Sequence, residues 1–485
     1  MNARALAAAL AVLLAGCASM EGLHTRSQPA DAMQLKMARS LDGAKQDASA
    51  WPAEDWWRAL GDPQLDRLIE EALAGSPSLR LARARVDRAL AVAESAGAPL
   101  APQLNASVDA TRQRFSRNGL IPPPFAGQWR WQNQAQLDFS YEFDFWGKNA
   151  AAYAAALGQV KAAEVDAYAA RLVLASGIAR AYVQLARGYD QLDLAREIVA
   201  QRDQTRALVA ERLDAGLDSR IELKQAEAAL PEARERVVQY EESIALGRNQ
   251  IAALAGLGPD RGLALERPKL AVSAAPALPS LLPADLIGRR PDVVAGRWRV
   301  EAALKDIDSA RAQFYPNVNL VAFAGLQALS WSKLVEAASR TIGVGPALRL
   351  PLFDGGRLRG NLGERNADYD AAVEQYNQTL VDALREVADQ IAAFRSIEQQ
   401  APETRAGLAA AQDGYELALE RYRAGLANYL TVVQAEAQVT AQRGLIADLR
   451  ARELDAAISL VRALGGGYPG GPGPVLTSAE KEERQ

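Results

Sequence analysis

Residues 211–217 read ERLDAGL, and 209 residues later the chain reads ERYRAGL over residues 420–426. The same offset relates the segment QAEA at residues 225–228 to an identical QAEA at residues 434–437. In both copies a glycine follows a long stretch rich in helix-forming residues, as is typical of a helix end. The chain therefore contains an internal duplication, and each copy predicts a helix, a tight turn and a returning helix.

The duplication extends upstream of these turns. Pro77 and Pro102 correspond to Pro291 and Pro316 at an offset of 214 residues. Glycines at 256 and 465 mark the downstream limits of the two copies. We therefore predict two structural repeats, which cover residues 60–256 and 283–465. Each repeat is expected to contain one helix, then two strands, then a long helical hairpin.

Two segments outside the repeats are rich in residues that interrupt regular structure. Five prolines fall between residues 257 and 283, so we predict a linker over residues 257–282 in which no regular element forms. The chain after Gly465 is rich in glycine and proline and then charged. This composition predicts a disordered tail over residues 466–485.

The N-terminus has the features of an export signal. A basic residue precedes an apolar run that is too short to span a bilayer as a helix, and the run ends in Leu14-Ala15-Gly16-Cys17. This ending resembles the lipobox of bacterial lipoproteins, which implies a signal peptide over residues 1–16 and a lipidated tether over residues 17–59. Cys17 would then carry an S-diacylglycerol and an N-acyl group. The alternative is an ordinary signal peptide in which the cysteine has no role.

Composition excludes several functional classes. The chain has 485 residues with 55 basic and 59 acidic side chains, so its net charge of −4 provides no basic field for nucleic acid. One histidine and one cysteine leave no material for a disulfide framework, a thiolate zinc cluster or a His-based catalytic triad. We expect no enzyme activity, no metal site and no cofactor other than the lipid on Cys17.

Each repeat contains a pair of segments with the two-residue period of a β-strand. Leu137, Phe139 and Tyr141 alternate with Asp138 and Ser140. The segment around residues 104–110 alternates in the same way, and the second repeat shows weaker alternation over 318–324 and 342–350. A soluble sandwich would give this pattern as well. Paired tryptophans at 129 and 131 suit a membrane strand, since tryptophan is enriched at membrane interfaces, and both interpretations stay open on this evidence alone.

Long helical segments follow the strands. Val165, Leu172 and Ala179 recur every seven residues, as do Val373 and Leu380 in the second repeat. A helix over the 68 residues from Lys148 to Ala215 would be about 100 Å long. The fold class is therefore mainly α with a β part, although the heptads alone would also suit a soluble helical bundle.

Four membrane strands cannot close a barrel, and an open sheet edge in lipid leaves backbone groups unsatisfied. A spanning barrel must therefore be shared between chains. At this point the sequence resembles the TolC/OprM-type outer-membrane efflux factors, in particular their NodT-type lipoprotein branch. The resemblance covers about residues 50–466. The motifs that carry it are WW at 56–57, DPQL at 62–65, FDFWGK at 143–148, LPADLIGRRPD at 282–292, PLFDGGR at 351–357 and RYRAG at 421–425.

The resemblance implies a homotrimer in which each chain contributes four strands to a 12-stranded β-barrel. The barrel would continue into an α-barrel tunnel in the periplasm. The protein would lie in the outer membrane, in contact with its lipid and anchored by Cys17. It would receive small toxic compounds or drugs from a periplasmic adaptor and an inner-membrane pump of the RND or MFS type, and export them.

In this family the periplasmic aperture lies near the two hairpin turns, which predicts a gate there. Glu222 lies where relatives can have an acidic gate residue, and Leu430 resembles a hydrophobic gate position. Thr431 and Gln434 lie where relatives often have aspartate. The sequence therefore leaves undecided whether the second hairpin contributes a ring of acidic residues. Each of these residues could equally be a solvent-facing residue of a coiled coil. The candidate gate residues are Asp218, Arg220, Glu222, Asn428, Leu430, Thr431 and Gln434.

Two other functions remain compatible with parts of the sequence. A lipid-anchored periplasmic helical scaffold protein would explain the heptads and the lipidation, but not strands that are charged on one side and aromatic on the other. A secreted enzyme that uses carboxylates would need a paired acidic motif in a cleft. The Glu241-Glu242 and Glu482-Glu483 pairs are predicted to face solvent instead.

Overall fold

The computed structural model describes residues 19–31, 34–37, 39–42, 51–271 and 288–470. Both repeats have the predicted order, in which helical segments lead into two strands and then into a long helical hairpin. The helices are α1 Pro63–Gly75, α2 Pro77–Gly97, α3 Lys148–Asp214, α4 Arg220–Leu254, α5 Pro259–Leu263, α6 Pro291–Ala312, α7 Arg357–Arg423 and α8 Tyr429–Ala463, and the strands are β1 Gln103–Arg114, β2 Trp129–Phe143, β3 Asn317–Ala328 and β4 Arg340–Arg349.

The four strands form one antiparallel sheet in the order β1-β2-β3-β4. Its register pairs Leu104 with Phe139, and Phe139 with Ala322. Because alternate residues point to opposite faces, the apolar residues of β1 and β2 share one face with most of those of β3 and β4, and the polar residues of β1 and β2 share the other. The two-faced strands predicted from the alternation are therefore present. Among the described residues, the outer strands β1 and β4 each have one edge without a partner strand.

Aromatic side chains lie at both ends of the sheet. At the loop end, the rings of Trp131 and Trp331 are 6.2 Å apart. At the helical end, Trp146 stacks on Tyr315 with a centroid distance of 4.6 Å, and the indole N–H of Trp146 donates to the carbonyl of Pro316 at 2.9 Å. This arrangement matches the two aromatic girdles of a membrane sheet. Among the described helices, none combines the length and apolarity needed to cross a bilayer.

Helices α3 and α7 contain 67 residues each, so each is about 100 Å long. The predicted heptad positions are mostly inside: Val373, Leu380 and Val387 are fully buried, as is Ala179. A large apolar cluster surrounds the middle of α3, where Tyr182 and Ile178 pack with Leu65, Leu68 and Ile69 of α1. Burial of this continuous seam holds the long helices together.

Residues 19–31 of the predicted tether form a strap along α7. Arg359, in the first turn of α7, donates to the carbonyls of Ser19 and Glu21. Further along the helix, the carboxylate of Asp370 accepts from the backbone N–H groups of Arg26 and Ser27 at 2.8 and 2.9 Å. Residues 19–31 therefore run beside α7, beginning at its membrane-proximal end. The signal peptide over 1–16 and Cys17 lie outside the described residues.

Three predictions about local structure were wrong. The linker was expected to lack regular elements, yet α5 forms inside it because Pro259 is at the first helical position, where proline is well tolerated. One helix was expected before the strands of repeat 1, but Ser76 caps a second one, α2. The tail was expected to be disordered from residue 466, but Tyr468 packs edge-on against Tyr168 with ring centroids 5.3 Å apart.

Candidate functional site

The two hairpins turn in the same way at their ends. Gly216 and Gly425 adopt the left-handed conformation, with φ of +77° and +76°. The N–H groups of Leu217 and Leu426 each donate 2.8 Å bonds to carbonyls five residues earlier. These bonds satisfy the last carbonyls of α3 and α7, which is the Schellman arrangement that glycine permits. The four to six residues that follow each of these glycines therefore lie at the tip of the hairpin.

Asp218 joins the two hairpins. Its side chain is 8% exposed, and its carboxylate forms an ion pair with Arg212 at 3.0 Å. The hydroxyl of Tyr422, from the second hairpin, donates to the same carboxylate. The Arg212 guanidinium lies 4.4 Å from the centroid of the Tyr422 ring and donates to the carbonyl of Arg423 at 3.3 Å. We call Arg212, Asp218 and Tyr422 the tip cluster.

The charges of the tip cluster are fixed by its own contacts. Burial raises the pKa of Tyr422, and its hydrogen bond to Asp218 raises it further, so the phenol keeps its proton and stays a donor. The hydrogen bond to Asp218 also raises the pKa of Arg212, which stays cationic. Hydrogen bonds to a charged partner contribute roughly 1.5–3 kcal/mol each. The tip cluster therefore resists separation of the hairpins.

Three predicted gate residues take part in helix capping. Glu222 folds back on Ser219 and accepts its backbone N–H at 2.9 Å, which forms a capping box at the start of α4. Hydrogen bonds from Ser219 lower the pKa of Glu222, so this carboxyl stays ionised. In the second hairpin, the Asn428 side chain accepts from the N–H and the hydroxyl of Thr431 at 3.1 and 2.8 Å. These contacts orient the turns.

The remaining predicted residues are exposed. Arg220 and Gln434 face solvent, and the side chain of Leu430 is 54% exposed. Leu430 is one of four large apolar side chains that are exposed at the hairpin ends, and three of them were not predicted as gate residues. We call this set the apolar rim: Leu217, Ile221, Leu426 and Leu430, exposed by 54–70%.

A second polar contact lies about two to three helical turns behind the tips. Arg202 of α3 is 3.5 Å from the carboxylate of Glu436 on α8, and it donates to the carbonyl of Ala229 at 2.7 Å. Burial raises the pKa of Glu436, although nearby Arg202 opposes the shift. Between this ion pair and the tip cluster lies an apolar layer that includes Val209, Val432 and Tyr429.

Arg212 and Tyr422 were missed as site residues, although the duplication contains a signal for one of them. At the offset of 209, Asp218 aligns with Ala427, and Tyr422 aligns with Leu213. The two residues that bond across the hairpins are thus positions where the repeats differ. Within the described residues, no group of three or more His, Cys, Asp or Glu side chains is placed to hold a metal ion.

Comparison with known proteins gives a consistent assignment. The family model "Outer membrane efflux protein" matches residues 68–257 and 282–466. The fusaric acid resistance protein FusA of Burkholderia cepacia is 43% identical over 362 residues, 74% of this chain and 68% of that protein. The multidrug resistance outer membrane protein MdtP of Escherichia coli K12 is 32% identical over 472 residues, 95% of each chain.

Solved structures agree with the sequence relatives. The outer membrane protein VceC of Vibrio cholerae is 38% identical and superposes with a TM-score of 0.81, covering 86% of this chain and all of VceC. The channel OprN, 25% identical, also gives a TM-score of 0.81. The four-stranded sheet with free edges and the long hairpins fit a subunit that completes its barrel with other copies. The chain therefore belongs to the outer membrane efflux protein family, and it is a subunit of a trimeric outer-membrane efflux channel, not an enzyme, that works with a periplasmic adaptor and an inner-membrane pump.

Proposed function

We propose that this channel closes at its hairpin ends, and that the tip cluster is the latch that holds it closed. The observation that carries the proposal is the pairing of Asp218 in the first hairpin with Tyr422 in the second. Arg212 adds two more contacts between the hairpins, with the ring of Tyr422 and with the carbonyl of Arg423, so the two ends resist separation. A trimer would contain three such latches around its axis.

The apolar rim supplies the seal in this proposal. Leu430 and its repeat counterpart Ile221 are 54% and 67% exposed, although exposure of large apolar side chains in water is unfavourable. In a narrow opening, such side chains exclude water and close a pore by dewetting. A docked adaptor could cover the same side chains once the channel opens. Burial of this apolar surface would offset the free energy lost when the contacts of the tip cluster break.

Crosslinking tests this location. In a Cys17→Ser background, a Leu430→Cys variant should form disulfides between chains of the trimer under oxidation and lose efflux, with recovery upon reduction. A Leu445→Cys variant is the matched control, because Leu445 is similarly exposed (48%) on the same helix but far from the turn. Absence of crosslinks at position 430 in a trimer that folds and inserts would place the gate elsewhere.

The class of substrate and the class of pump are inferred from the named relatives, because no single residue of the chain indicates them. One relative is named for resistance to fusaric acid and another for multidrug resistance. We infer that this channel exports drugs and other small toxic compounds, delivered by a pump of the RND or MFS class. Deleting the gene and measuring growth in a panel of such compounds tests the inference. Unchanged inhibitory concentrations across the panel, with pumps of both classes expressed, would contradict it.

We further propose that Cys17 is lipidated and anchors the chain to outer-membrane lipid. Ser19 is hydrogen bonded to Arg359, in the helical turn that follows the last strand of the sheet. Ser19 follows Cys17 by only two residues in the sequence. The contact of Ser19 with Arg359 therefore supports an anchor near the membrane-proximal end of the helices. Two or more acyl chains there would give stable anchoring.

Metabolic labelling tests the lipid. The wild-type protein should incorporate radiolabelled palmitate, and Cys17→Ser should abolish the label. Ser19→Ala is the control, since it preserves both the cysteine and the backbone carbonyl that Arg359 binds. Label that persists in Cys17→Ser would refute lipidation at this residue without bearing on the gate.

A further inference from the structure

The inner face of the sheet is not uniformly polar. In β1 and β2 this face carries only polar and charged residues, but β3 places Val321 and Phe323 on it. Their side chains are 41% and 40% exposed. The alternation of β3 therefore fails at the two positions where an apolar side chain faces the lumen of the barrel rather than the lipid. These two residues explain why the polar–apolar alternation of this segment is weak in the sequence.

Phe323 lies in a defined row across the sheet. The register pairs Asp138 of β2 with Phe323, and Phe323 with Gly343 of β4. A Cβ atom at Gly343 would lie 2.5 Å from the Phe323 ring, so the ring lies over the bare backbone of this glycine. No side chain at 343 covers the ring, which leaves much of its surface open to the lumen.

The carboxylate beside the ring is held by neutral groups. Gln136 donates to one oxygen of Asp138, and Ser107 donates to the other at 3.5 Å. Directly opposite residues of antiparallel strands have Cβ atoms about 5 Å apart, so Asp138 and Phe323 are adjacent in the row. The carboxylate contacts Ser107 on the β1 side and the ring lies over Gly343 on the β4 side. Each chain thus presents an anionic group and an exposed aromatic surface in the same row of the inner face.

The charge of this zone is negative. On the inner face of the four strands, all of whose residues are described, the acidic side chains are Asp109, Asp138 and Glu142. Glu142 is paired with Lys148 at 2.6 Å. Basic side chains on this face occur only near its two ends, at Arg130 and Arg349. A cation that passes the middle of the barrel therefore meets carboxylates without a competing base on the wall.

We propose that the Asp138–Phe323 row is a transit site for aromatic organic cations inside the barrel. Asp138 supplies the charge, and Phe323 supplies a ring face for stacking and cation–π contact. The trimer repeats the row three times around the lumen. The site lies in the barrel, far from the hairpin ends, so it is independent of the proposed gate.

Current block in planar bilayers tests the site. Ethidium, an aromatic cation, is added on the loop side of purified trimers, from which it reaches the barrel without passing the hairpin ends. Phe323→Leu should raise the half-blocking concentration of ethidium roughly 3- to 10-fold, whereas Phe323→Tyr should leave it near the wild-type value. Asp138→Asn should weaken block by ethidium and by tetraethylammonium, which is cationic but not aromatic. Asn319→Ser, on the same face of β3, is the control.

The outcomes separate the site from a merely structural role of the ring. Gly343→Ala keeps Phe323 but displaces it, and should weaken ethidium block without changing block by tetraethylammonium. If Phe323→Leu, Gly343→Ala and Asp138→Asn all conduct and all block as the wild type does, the transit site does not exist. Block that weakens equally for both probes in Phe323→Leu would mean that the ring acts on pore shape alone, and would overturn the proposal.

Discussion

Tyr422 donates its phenolic hydroxyl to the carboxylate of Asp218, and the two residues belong to different hairpins, 204 residues apart in the chain. The same phenol ring lies beneath the guanidinium of Arg212, which also binds Asp218. One buried carboxylate is therefore shared by a donor from each hairpin. A movement that separates the hairpin ends must break the bond between Tyr422 and Asp218 and take the Tyr422 ring away from Arg212.

Truncation of the apolar rim should make the closed channel leak. Leu430→Ala removes apolar surface from the opening, so water should enter more easily and single-channel conductance should rise. Cells should also become sensitive to vancomycin, which is normally too large to enter. Leu445→Ala removes the same atoms from an exposed site elsewhere on α8 and should change neither quantity. Equal behaviour of the two variants would show that Leu430 does not seal the pore.

The two faces of the sheet should respond differently to a charge. Leu137 lies on the apolar face near the middle of β2, and Gln136 lies beside it on the polar face. A basic residue on the lipid side near the midplane costs roughly 2–4 kcal/mol in a barrel. Leu137→Arg should therefore reduce the yield of heat-modifiable, detergent-resistant trimers, while Gln136→Arg should assemble normally. Similar trimer yields for both variants would contradict the face assignment.

Glu436 should make the hairpin region less stable as pH rises. Burial raises its pKa in the folded protein above the ordinary value of 4.5, so the folded state retains a proton that the unfolded chain loses. Stability associated with this group is fully present below pH 4.5 and decreases as pH rises through the folded-state pKa. Melting temperatures of wild type and Glu436→Gln should therefore diverge above pH 4.5, with the glutamine variant becoming the more stable. Divergence in the opposite direction would show that the Arg202 ion pair dominates.

The duplicated turns, the two-faced strands and the long helices could be predicted because their signals are local. Glycine at 216 and 425, the alternation around Phe139 and the heptad through Val373 each report on a few neighbouring residues. The second helix of repeat 1 had a local signal too, since Ser76 and Pro77 form a helix start, and it was overlooked.

The tip cluster could not be predicted in the same way. Its bonds join residues whose proximity depends on how the two hairpins pack, and no periodicity encodes that packing. Asp218 was selected as a residue that would face the opening, but its side chain is 8% exposed and binds within the chain. Glu222 was selected as a charge at the gate, and in the structure it also caps α4. Whether these residues line an aperture stays a prediction.

The most direct test of the latch is the single-channel conductance of purified Tyr422→Phe trimers in planar bilayers. This change removes only the hydroxyl that binds Asp218 and retains the ring beneath Arg212. Asp214→Ala, which removes an exposed carboxylate from the same hairpin end, is the control. The account predicts a higher conductance for Tyr422→Phe and a still higher one for Asp218→Ala, with Asp214→Ala equal to wild type. Wild-type conductance in both Tyr422→Phe and Asp218→Ala would contradict it.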